Sequence, residues 1–404
     1  MIAPIVPLAD QMTRWRRHLH ENPEIATQEV KTAEFVGTEL DEMGIPYVGG
    51  IGGHGIVATL SRPGSKRSVG LRADMDALPI TEEGDHEHVS RNHGVMHACG
   101  HDGHTASLLG AAHLLLADPG WSGIVRLIFQ PAEETAVGAL AMLQDGLFDR
   151  FPMDRIFAYH NWPGLEAGVV ATTAGPIMAA GGRISILLRG KPGHAAMPHQ
   201  SRDTLLAASH LLTALQSISA RATDPFDALV VSVTTMQTGL AFNQIPGTVQ
   251  LGGTMRTLSV QVRDRVEAEI HRISQGIALA FGVEAEVNIR RSVPVTINDP
   301  ESANLALRAA RLAGIDTIEG IRPSLAGEDF ANFLNERPGA MVWIGNDMAG
   351  GARRDLHHSR YDFNDAILPV AARWFAAVAR LTLDENKSLS DGQLEDHFNS
   401  EVHQ

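Results

Sequence analysis

The sequence predicts an α/β fold in two domains, and three observations lead to that prediction. The chain has 404 residues, which is long for one ordinary hydrophobic core. In its first part, buried-type strands alternate with helical segments, as in a sheet covered by helices. A second series then follows the order strand-helix-strand-strand-helix-strand, which is typical of a ferredoxin-like α+β domain.

The first part of the chain supplies a helical amino-terminal stretch and three strands. Apolar periodicity predicts helix over residues 12–43, interrupted by the proline of LHENPE. Strands are predicted at residues 56–60, 68–72 and 124–130, with a helix at 105–117. In open α/β sheets, ligands collect beyond the carboxyl ends of the strands. Five side chains with metal-binding or acid-base chemistry are expected there: Asp74, Asp76, Glu133, Glu134 and His160.

The pattern changes near Gly181 and Gly182. The predicted elements are then strand 183–188, helix 204–218, strands 229–235 and 249–255, helix 260–281 and strand 284–289. Helix 301–312 and strand 340–344 resume the first pattern. We therefore expect a discontinuous α/β domain of residues 1–182 and 296–404 with a mixed sheet, and an inserted ferredoxin-like domain of residues 183–295. The acidic stretch 384–404 is expected to be a frayed tail.

Composition argues against several classes of function. The chain carries 33 Lys and Arg against 47 Asp and Glu, a formal net charge of −14. No basic stripe can follow a phosphate backbone, so we expect no nucleic-acid partner. The amino terminus lacks the features of a signal peptide, and no segment approaches the roughly 20 apolar residues that span a bilayer. We expect a cytoplasmic protein with no membrane contact, whose single cysteine cannot form an internal disulfide.

The segment MHACGHDGHT at residues 96–105 is the most informative part of the sequence. It gathers the only cysteine of the chain and three histidines just ahead of an apolar helix. Two further motifs, QPAEE at 130–134 and YHN at 159–161, each end an apolar run with ligand-type residues. Soft and hard ligands at three strand ends together predict a metal centre, although a histidine-rich loop alone is more often a solvated surface.

Spacing assigns provisional roles within the segment 96–105. Cys99 and His101 are two residues apart, so a loop or turn can direct both side chains at one ion. We therefore expect these two residues to be ligands, with a packed thiol as the alternative for the cysteine. For His97, Asp102 and His104, support of a ligand or capping of the helix is an equally good explanation.

The acidic motifs indicate metal-assisted hydrolysis. Glu133 and Glu134 are adjacent, so they cannot serve one point in the same way. One carboxylate can coordinate a metal while the other faces the open position as a base. Asp74 and Asp76 present alternate carboxylates in the same crevice, where they can support the ligands, coordinate metal or cap a helix.

Nine segments carry a resemblance to a known family, in order over nearly the whole chain. They are GLRADMDALPI (70–80), MHACGHDGHTASLLGAA (96–112), IFQPAEE (128–134), GLFDRFPMD (146–154), HNWPGLEAG (160–168), GHAAMPH (193–199), AFNQIP (241–246), AGEDF (326–330) and LHHSRYDFND (356–365). These segments resemble the amidohydrolase branch of the aminoacylase and carboxypeptidase-type metallopeptidase family. Hippurate hydrolases and plant indoleacetyl-amino-acid hydrolases belong to that branch.

The resemblance implies a centre of two divalent metal ions, with Mn or Zn foremost and Ni or Co possible. The ligands that it implies are Cys99, His101, Glu134, His160 and His357. Glu133 is implied as the general base. The next residue, His358, leaves the choice of ligand open on spacing alone, and the Leu-His pair of the family favours His357.

The inserted domain of the resembling family mediates dimerisation and closes as a lid. By that resemblance, His194 reaches the active site of the partner subunit, with an ordinary turn histidine as the alternative. Asn243 resembles a substrate-contacting position, and a loop amide is the alternative. Arg256 is a weaker candidate for binding a substrate carboxylate, or is an exposed strand residue.

Two segments depart from the pattern of the family near the expected substrate cleft. Residues 202–204 replace a common Asp-Pro, and the loop 81–95 holds Asp85, His86, Glu87, His88 and His93 in place of an aromatic-containing segment. We expect that loop to be solvated, with adventitious metal binding as the alternative. These departures leave the acyl group of the substrate open.

The resemblance implies an amidohydrolase that cleaves N-acyl amino acids to a carboxylic acid and a free amino acid, and that works as a homodimer. A dipeptidase or a carbamoyl-amino-acid hydrolase of the same fold is the nearest alternative. A thiol enzyme with Cys99 as nucleophile and His101 as base would leave the carboxylates without a role. A non-catalytic metal-binding dimer is the remaining alternative.

Overall fold

The computed structural model describes residues 7–347 and 354–384. The helices are α1 Leu8–Glu21, α2 Val30–Glu42, α3 His101–Ala117, α4 Gly138–Gln144, α5 Leu147–Arg150, α6 Thr204–Arg221, α7 Val260–Phe281, α8 Pro300–Leu312, α9 Ala331–Glu336 and α10 Leu368–Leu383. The strands are β1 Tyr47–Ile51, β2 Gly55–Arg62, β3 Ser68–Asp74, β4 Gly123–Gln130, β5 Arg155–Glu166, β6 Val170–Thr172, β7 Gly175–Met178, β8 Ala180–Arg189, β9 Gly193–His194, β10 Leu229–Gln237, β11 Gln244–Ile245, β12 Thr248–Thr257, β13 Glu284–Arg291, β14 Thr296–Asn298, β15 Thr317–Glu319 and β16 Gly339–Asp347.

The chain divides into two compact units. The first unit comprises residues 1–175, 297–322 and 332–404, and the second comprises residues 176–296 and 323–331. This division differs from the predicted boundaries, because the second unit begins before residue 183 and also takes in residues 323–331. The predicted tail 384–404 lies outside the described residues except for Asp384.

The first unit is built on an eight-stranded mixed sheet with the order β1-β2-β4-β3-β5-β16-β6-β15. The central strands β4, β3, β5 and β16 run parallel to one another, while β2 pairs with β4 and β6 pairs with β16 in the antiparallel direction. The mixed α/β sheet predicted from the sequence is therefore present. Because these central strands are buried on both faces, they read as nearly continuous apolar runs.

Helices α1, α3, α8 and α10 pack into one large core with that sheet. Leu109 of α3 and Trp374 of α10 are fully buried in this core. Helix α3 has no apolar stripe, because it is buried almost all round by α1, α10 and the sheet. The amino-terminal helical stretch divides into α1 and α2, as the proline of LHENPE predicts.

The parallel strands place the predicted site at one edge of the sheet. Asp74 ends β3 and is paired in register with Gln130, which ends β4.

Two sequence predictions about the elements of the site need correction. Helix α3 begins at His101 rather than at residue 105, because Gly100 adopts a left-handed conformation (φ 88°) that turns the chain into the helix. His160 lies within β5 rather than beyond its end, because β5 continues to Glu166.

The second unit holds a four-stranded sheet with the order β10-β12-β8-β13, in which all neighbours are antiparallel. Helices α6 and α7 pack against it, and Ile186, Leu211 and Ile270 are fully buried in the shared core. Asp203 caps α6 by accepting hydrogen bonds from the amides of Leu205 and Leu206, and Gly282 ends α7 in a left-handed conformation.

Within the part of the chain that the structure describes, one helical stretch, Asp365–Leu383, is long and apolar enough to cross a membrane by length and composition. Two thirds of it (67%) is buried inside the protein. Its apolar character is accounted for by its contacts with α3 and α8 in the core.

We predict that Leu127→Ala destabilises the first unit by about 2–5 kcal/mol, because the leucine is fully buried in β4 and its truncation leaves a cavity. All five tryptophans lie in the first unit, so their fluorescence in a urea titration reports its unfolding. Val48→Ala on the edge strand β1 is the control, and its half-exposed side chain should change stability by less than about 0.5 kcal/mol. Equal urea midpoints for the two variants would contradict the packing described here.

Candidate metal centre

His101 lies in the first turn of α3, where Asp76 holds one of its ring nitrogens and the other ring nitrogen has no partner among the described residues. Its Nδ1 lies 2.9 Å from the backbone oxygen of Asp76 and 3.2 Å from Asp76 Oδ1, so Nδ1 carries the proton and donates it. Its buried Nε2 makes no hydrogen bond within residues 7–347 and 354–384. A carboxylate on one nitrogen and a vacant lone pair on the other is the usual arrangement of a metal-binding histidine.

Cys99 and His160 contact each other beside the His101 ring. The Cys99 Sγ lies 3.5 Å from His160 Nε2, and both side chains are buried. His160 Nδ1 lies 2.7 Å from the backbone oxygen of Asn161 and donates its proton there. The Nε2 lone pair of His160 is therefore available toward the thiol.

Glu134 follows β4 in a tight turn that fixes the direction of its side chain. Ala132 and Ala136 both have positive φ (53° and 58°), a backbone conformation that is strained for any residue other than glycine and recurs at functional sites. The amide of Glu134 donates to Asp76 Oδ2 at 2.9 Å, and the amide of Ala132 donates to the buried carboxylate of Glu29 at 2.8 Å.

His357 approaches the same turn from the carboxy-terminal segment. Its Nε2 lies 3.3 Å from Glu134 Oε1, and its amide donates to the backbone oxygen of Ala98. It has a left-handed backbone (φ 64°), and about half of its side chain is exposed. The adjacent His358 instead accepts a hydrogen bond from the amide of Arg360.

Three overlapping groups of ligand atoms join these side chains into one crevice. In each group the ligand atoms lie within 4.8 Å of one another; the groups are Cys99, His101 and His160; Cys99, Glu134 and His357; and His101, Glu133 and Glu134. The structure therefore brings together all six residues for which the sequence implied a ligand or base role. One thiol, three imidazoles and two carboxylates suit divalent ions such as Zn²⁺ or Mn²⁺, which accept mixed ligands.

The electrostatics of this crevice also suit a cation. Burial disfavours the charged form of His101, but Asp74, Asp76 and Glu134 outweigh it and raise the pKa of His101 to about 10. Burial and the neighbouring carboxylates raise the pKa of Cys99 well above its usual range. Buried negative charge contributes to both shifts, and a bound divalent cation would relieve it and favour the thiolate.

His104, which lies one turn beyond His101, is not placed as a ligand. Its Nδ1 donates to Asp74 Oδ1 at 2.5 Å, and its Nε2 accepts hydrogen bonds from the backbone and side-chain amides of Asn161 at 3.0 and 3.1 Å. Both nitrogens are therefore used within the protein. Asp74 in turn forms an ion pair with Arg72 at 2.7 Å, so these residues hold the edges of β3 and β5 together.

Sequence reasoning missed two polar residues that hold the crevice in shape. The Asn161 side chain donates to the backbone oxygen of Cys99 at 2.6 Å and accepts from the Tyr361 hydroxyl. A side chain at Gly100 would collide with both groups, which explains glycine there beyond its positive φ. The YHN motif and the segment LHHSRYDFND contain these residues, but nothing in the sequence shows that they meet.

The second unit pairs the two loops predicted to contact substrate. The two-residue strands β9 and β11 are antiparallel, with Gln244 opposite His194, and the amide of Ala195 donates to the backbone oxygen of Asn243. The exposed ring of His194 accepts a hydrogen bond from the amide of Ala196 at Nδ1, which leaves Nε2–H as a donor. His194 and Asn243 are thus neighbours on one surface of this unit.

Arg256 is held by its own strand. One terminal nitrogen of its guanidinium donates to the hydroxyl of Thr254 and to the backbone oxygen of Met255. Burial, followed by the nearby charge of Arg183, lowers its pKa. These contacts give Arg256 a role in β12, and they do not direct its guanidinium at a ligand.

Comparison with known proteins gives matches over almost the whole chain. A family model described as peptidase family M20/M25/M40 matches residues 70–381. A hippurate hydrolase of Campylobacter jejuni is 39% identical over 383 residues, which cover 94% of this chain and 98% of that protein. An N-acetyl-L-cysteine deacetylase of Bacillus subtilis is 36% identical over 381 residues, which cover 94% of this chain and 90% of that protein.

A solved structure gives the same result. The YXEP protein of Bacillus subtilis, described as a dinuclear metal binding peptidase from the M20 family, matches with a TM-score of 0.83 at 34% identity. The match covers 93% of this chain and 99% of that one. The resemblance read from the nine sequence segments is confirmed, and this chain belongs to peptidase family M20/M25/M40.

Proposed function

We propose that this protein is a dinuclear metal-dependent amidohydrolase that cleaves N-acyl amino acids, of the hippurate or N-acetyl type, to a carboxylic acid and a free amino acid. The observation that carries the proposal is the convergence of six ligand-type and base-type side chains on one crevice. The relatives named as hippurate hydrolase and N-acetyl-L-cysteine deacetylase support the substrate class.

Five residues would hold two divalent ions: Cys99, His101, Glu134, His160 and His357. We place Mn or Zn first, with Ni or Co as alternatives, because the mixed ligands accept all four. When bound, two such ions would polarise the scissile carbonyl and lower the pKa of a bound water molecule. Asp76 positions two of the ligands, since it holds the His101 ring and the Glu134 amide.

Glu133 would be the general base. It lies with Glu134 and His101 in one of the groups of ligand atoms, and the tight turn directs adjacent carboxylates to different points. Glu133 would take a proton from the attacking water and return it to the leaving amine. The presence of a carboxylate in the position of a general base favours catalysis over a purely metal-binding role.

The thiol-nucleophile alternative has little support in the geometry. Burial and nearby carboxylates raise the pKa of Cys99, which disfavours the thiolate that such an enzyme needs. The thiol of Cys99 makes its contacts with His160 and Glu134 rather than with the proposed base His101.

The second unit would be an inserted ferredoxin-like domain that serves as a lid and a dimerisation surface. The element order β8-α6-β10-β12-α7-β13 and the sheet order β10-β12-β8-β13 match that fold. We assign the catalytic domain to residues 1–182 and 296–404 in the predicted division, with a homodimer in the cytoplasm as the working form. His194 would donate a hydrogen bond to the developing oxyanion, and Asn243 beside it would contact substrate.

We predict that the double variant Cys99→Ser, His160→Ala binds two fewer divalent ions per chain than the unmodified protein, because Cys99 belongs to two of the groups of ligand atoms and His160 to one of them. Elemental analysis after dialysis measures the difference. Prolonged chelation should abolish hydrolysis of N-acyl amino acids, and added Mn²⁺ or Zn²⁺ should restore it. Full activity in a preparation stripped of metal would contradict the proposal.

Glu133→Gln should retain metal and lose about 10²- to 10⁴-fold in kcat, because it removes the proton acceptor and leaves the ligands in place. Glu134→Gln should instead lose metal affinity. Glu42→Gln, on an exposed position of α2, is the control and should change neither quantity. Reversed phenotypes for the two glutamates would show that their roles are exchanged.

His194→Ala should leave folding and metal content unchanged and lower kcat and kcat/KM together by about 10²- to 10³-fold, the mark of a contact made mainly in the transition state. His199→Ala in the same exposed loop is the matched control. Mixing inactive Glu133→Gln and His194→Ala proteins should restore some activity in hybrid dimers, since one site then has both groups. Without recovery after verified subunit exchange, His194 would act within its own chain.

A further inference from the structure

A second cluster of imidazoles and carboxylates lies in the first unit, apart from the candidate metal centre. His20 of α1, Glu82 and His86 of the loop 81–95, and Asp362 of the carboxy-terminal segment contribute to it. The loop was expected to be solvated; Asp85, Glu87 and His93 are exposed as expected, but His86 and His88 need correction. His88 is only 6% exposed, and the ring of His86 stacks on it at a centroid distance of 3.9 Å.

The ligand atoms of this cluster are as close together as those of a metal site. His20 Nε2 and His86 Nε2 lie 3.2 and 2.9 Å from the same oxygen, Glu82 Oε1. The ligand atoms of His20, His86 and Asp362 all lie within 4.8 Å of one another. Ligands bound tetrahedrally at about 2.0 Å from Zn²⁺ are separated by about 3.3 Å, so a small contraction suffices to enclose an ion.

His20 is oriented in the way that metal-binding histidines usually are. Its Nδ1 lies 2.8 Å from Asp102 Oδ2 and donates its proton to that buried carboxylate. Its Nε2 lies 3.2 Å from Glu82 Oε1 and donates a hydrogen bond to that oxygen when the ring is protonated. A carboxylate on the distal nitrogen fixes the tautomer and strengthens the ligand.

His86 supplies the second observation that points to a ligand. Its Nε2 lies 2.9 Å from Glu82 Oε1, where the protonated ring forms an ion pair, and its buried Nδ1 has no hydrogen-bond partner in the described part of the chain. Buried polar atoms without partners are rare in folded proteins, and an absent ion is one explanation. His88 Nε2 lies 3.1 Å from Asp362 Oδ1 and orients that carboxylate, while the Nδ1 of His88 is also unpartnered there.

The charges around the cluster leave room for a cation. Four carboxylates, those of Glu82, Asp102, Asp362 and Asp365, face the two guanidiniums of Arg16 and Arg17, which leaves two negative charges for the imidazoles to balance. Burial disfavours a charged His20, but Asp102 and Glu82 outweigh it and raise its pKa to about 9. A divalent ion would replace that proton.

We propose that His20, Glu82, His86 and Asp362 bind one divalent transition-metal ion, Zn²⁺ or one of similar chemistry, at a site additional to the dinuclear centre. Two imidazole nitrogens and two carboxylate oxygens form a ligand set that suits Zn²⁺ and lacks the thiolate of the centre. The ion would tie α1, the loop 81–95 and the carboxy-terminal segment together. Through Asp102, it would also be linked to the first turn of α3.

The test compares the Zn²⁺ content of purified variants after saturation and dialysis. His86→Asn and Asp362→Asn should each bind one fewer Zn²⁺ per chain than the unmodified protein. His93→Asn, which changes an exposed histidine of the same loop, is the matched control and should bind the full number. Circular dichroism verifies folding, and Glu82→Gln replaces either variant that does not fold.

Loading with Co²⁺ separates this proposal from the proposed function. The thiolate-to-cobalt absorption band of Cys99 should remain in His86→Asn and disappear in Cys99→Ser, because only the centre contains a thiolate. If His86→Asn and Asp362→Asn bind as much Zn²⁺ as the control, the second site does not exist. If the unmodified protein binds the extra Zn²⁺ only with millimolar affinity, the ion is bound adventitiously by surface histidines, and the proposal is equally overturned.

Discussion

Negative charge buried at the carboxyl ends of β3 and β4 must be balanced without water, and much of the first unit is arranged around that requirement. Asp74 is fully buried, forms an ion pair with Arg72 at 2.7 Å and accepts a hydrogen bond from the His104 ring. Removing one partner of such a pair leaves an uncompensated charge and costs about 3–5 kcal/mol. The mixed sheet can therefore hold carboxylates at this edge only while the neighbouring cation and imidazole are in place.

The same contacts determine the proton positions of the imidazoles. His101 donates to Asp76, His104 donates to Asp74, and His160 donates to a backbone oxygen, so each Nδ1 carries a proton. In the neutral imidazole, each Nε2 then presents a lone pair. For His104 that lone pair is used by Asn161, whereas for His101 no described residue uses it. The difference between a supporting histidine and a metal ligand is therefore the presence of an amide donor opposite Nε2.

The sequence was informative where the chemistry depends on local spacing, and less so where it depends on the fold. Apolar runs predicted the central strands and the ends at which Asp74 and Glu134 lie. They did not show that α3 begins at His101. The left-handed Gly100 starts that helix, and the side chains that require glycine there, Asn161 and Tyr361, lie far away in the sequence. Similarly, the burial of His88 within the charged loop 81–95 could not be predicted, because it depends on His20 and Asp362, which lie far away in the sequence.

The two clusters of the first unit use one principle with different ligands. In both, a buried carboxylate holds Nδ1 of a histidine, as Asp76 does for His101 and Asp102 does for His20, and the opposite nitrogen faces further ligand atoms. The candidate centre adds the soft thiol of Cys99, whereas the second cluster offers only imidazole and carboxylate groups. Soft ions should therefore prefer the centre, and harder ions should discriminate less between the two sites, because only the centre offers a soft thiol ligand. Since Asp102 directly follows His101 at the start of α3, any change in charge at the second cluster acts on the helix that carries a ligand of the first.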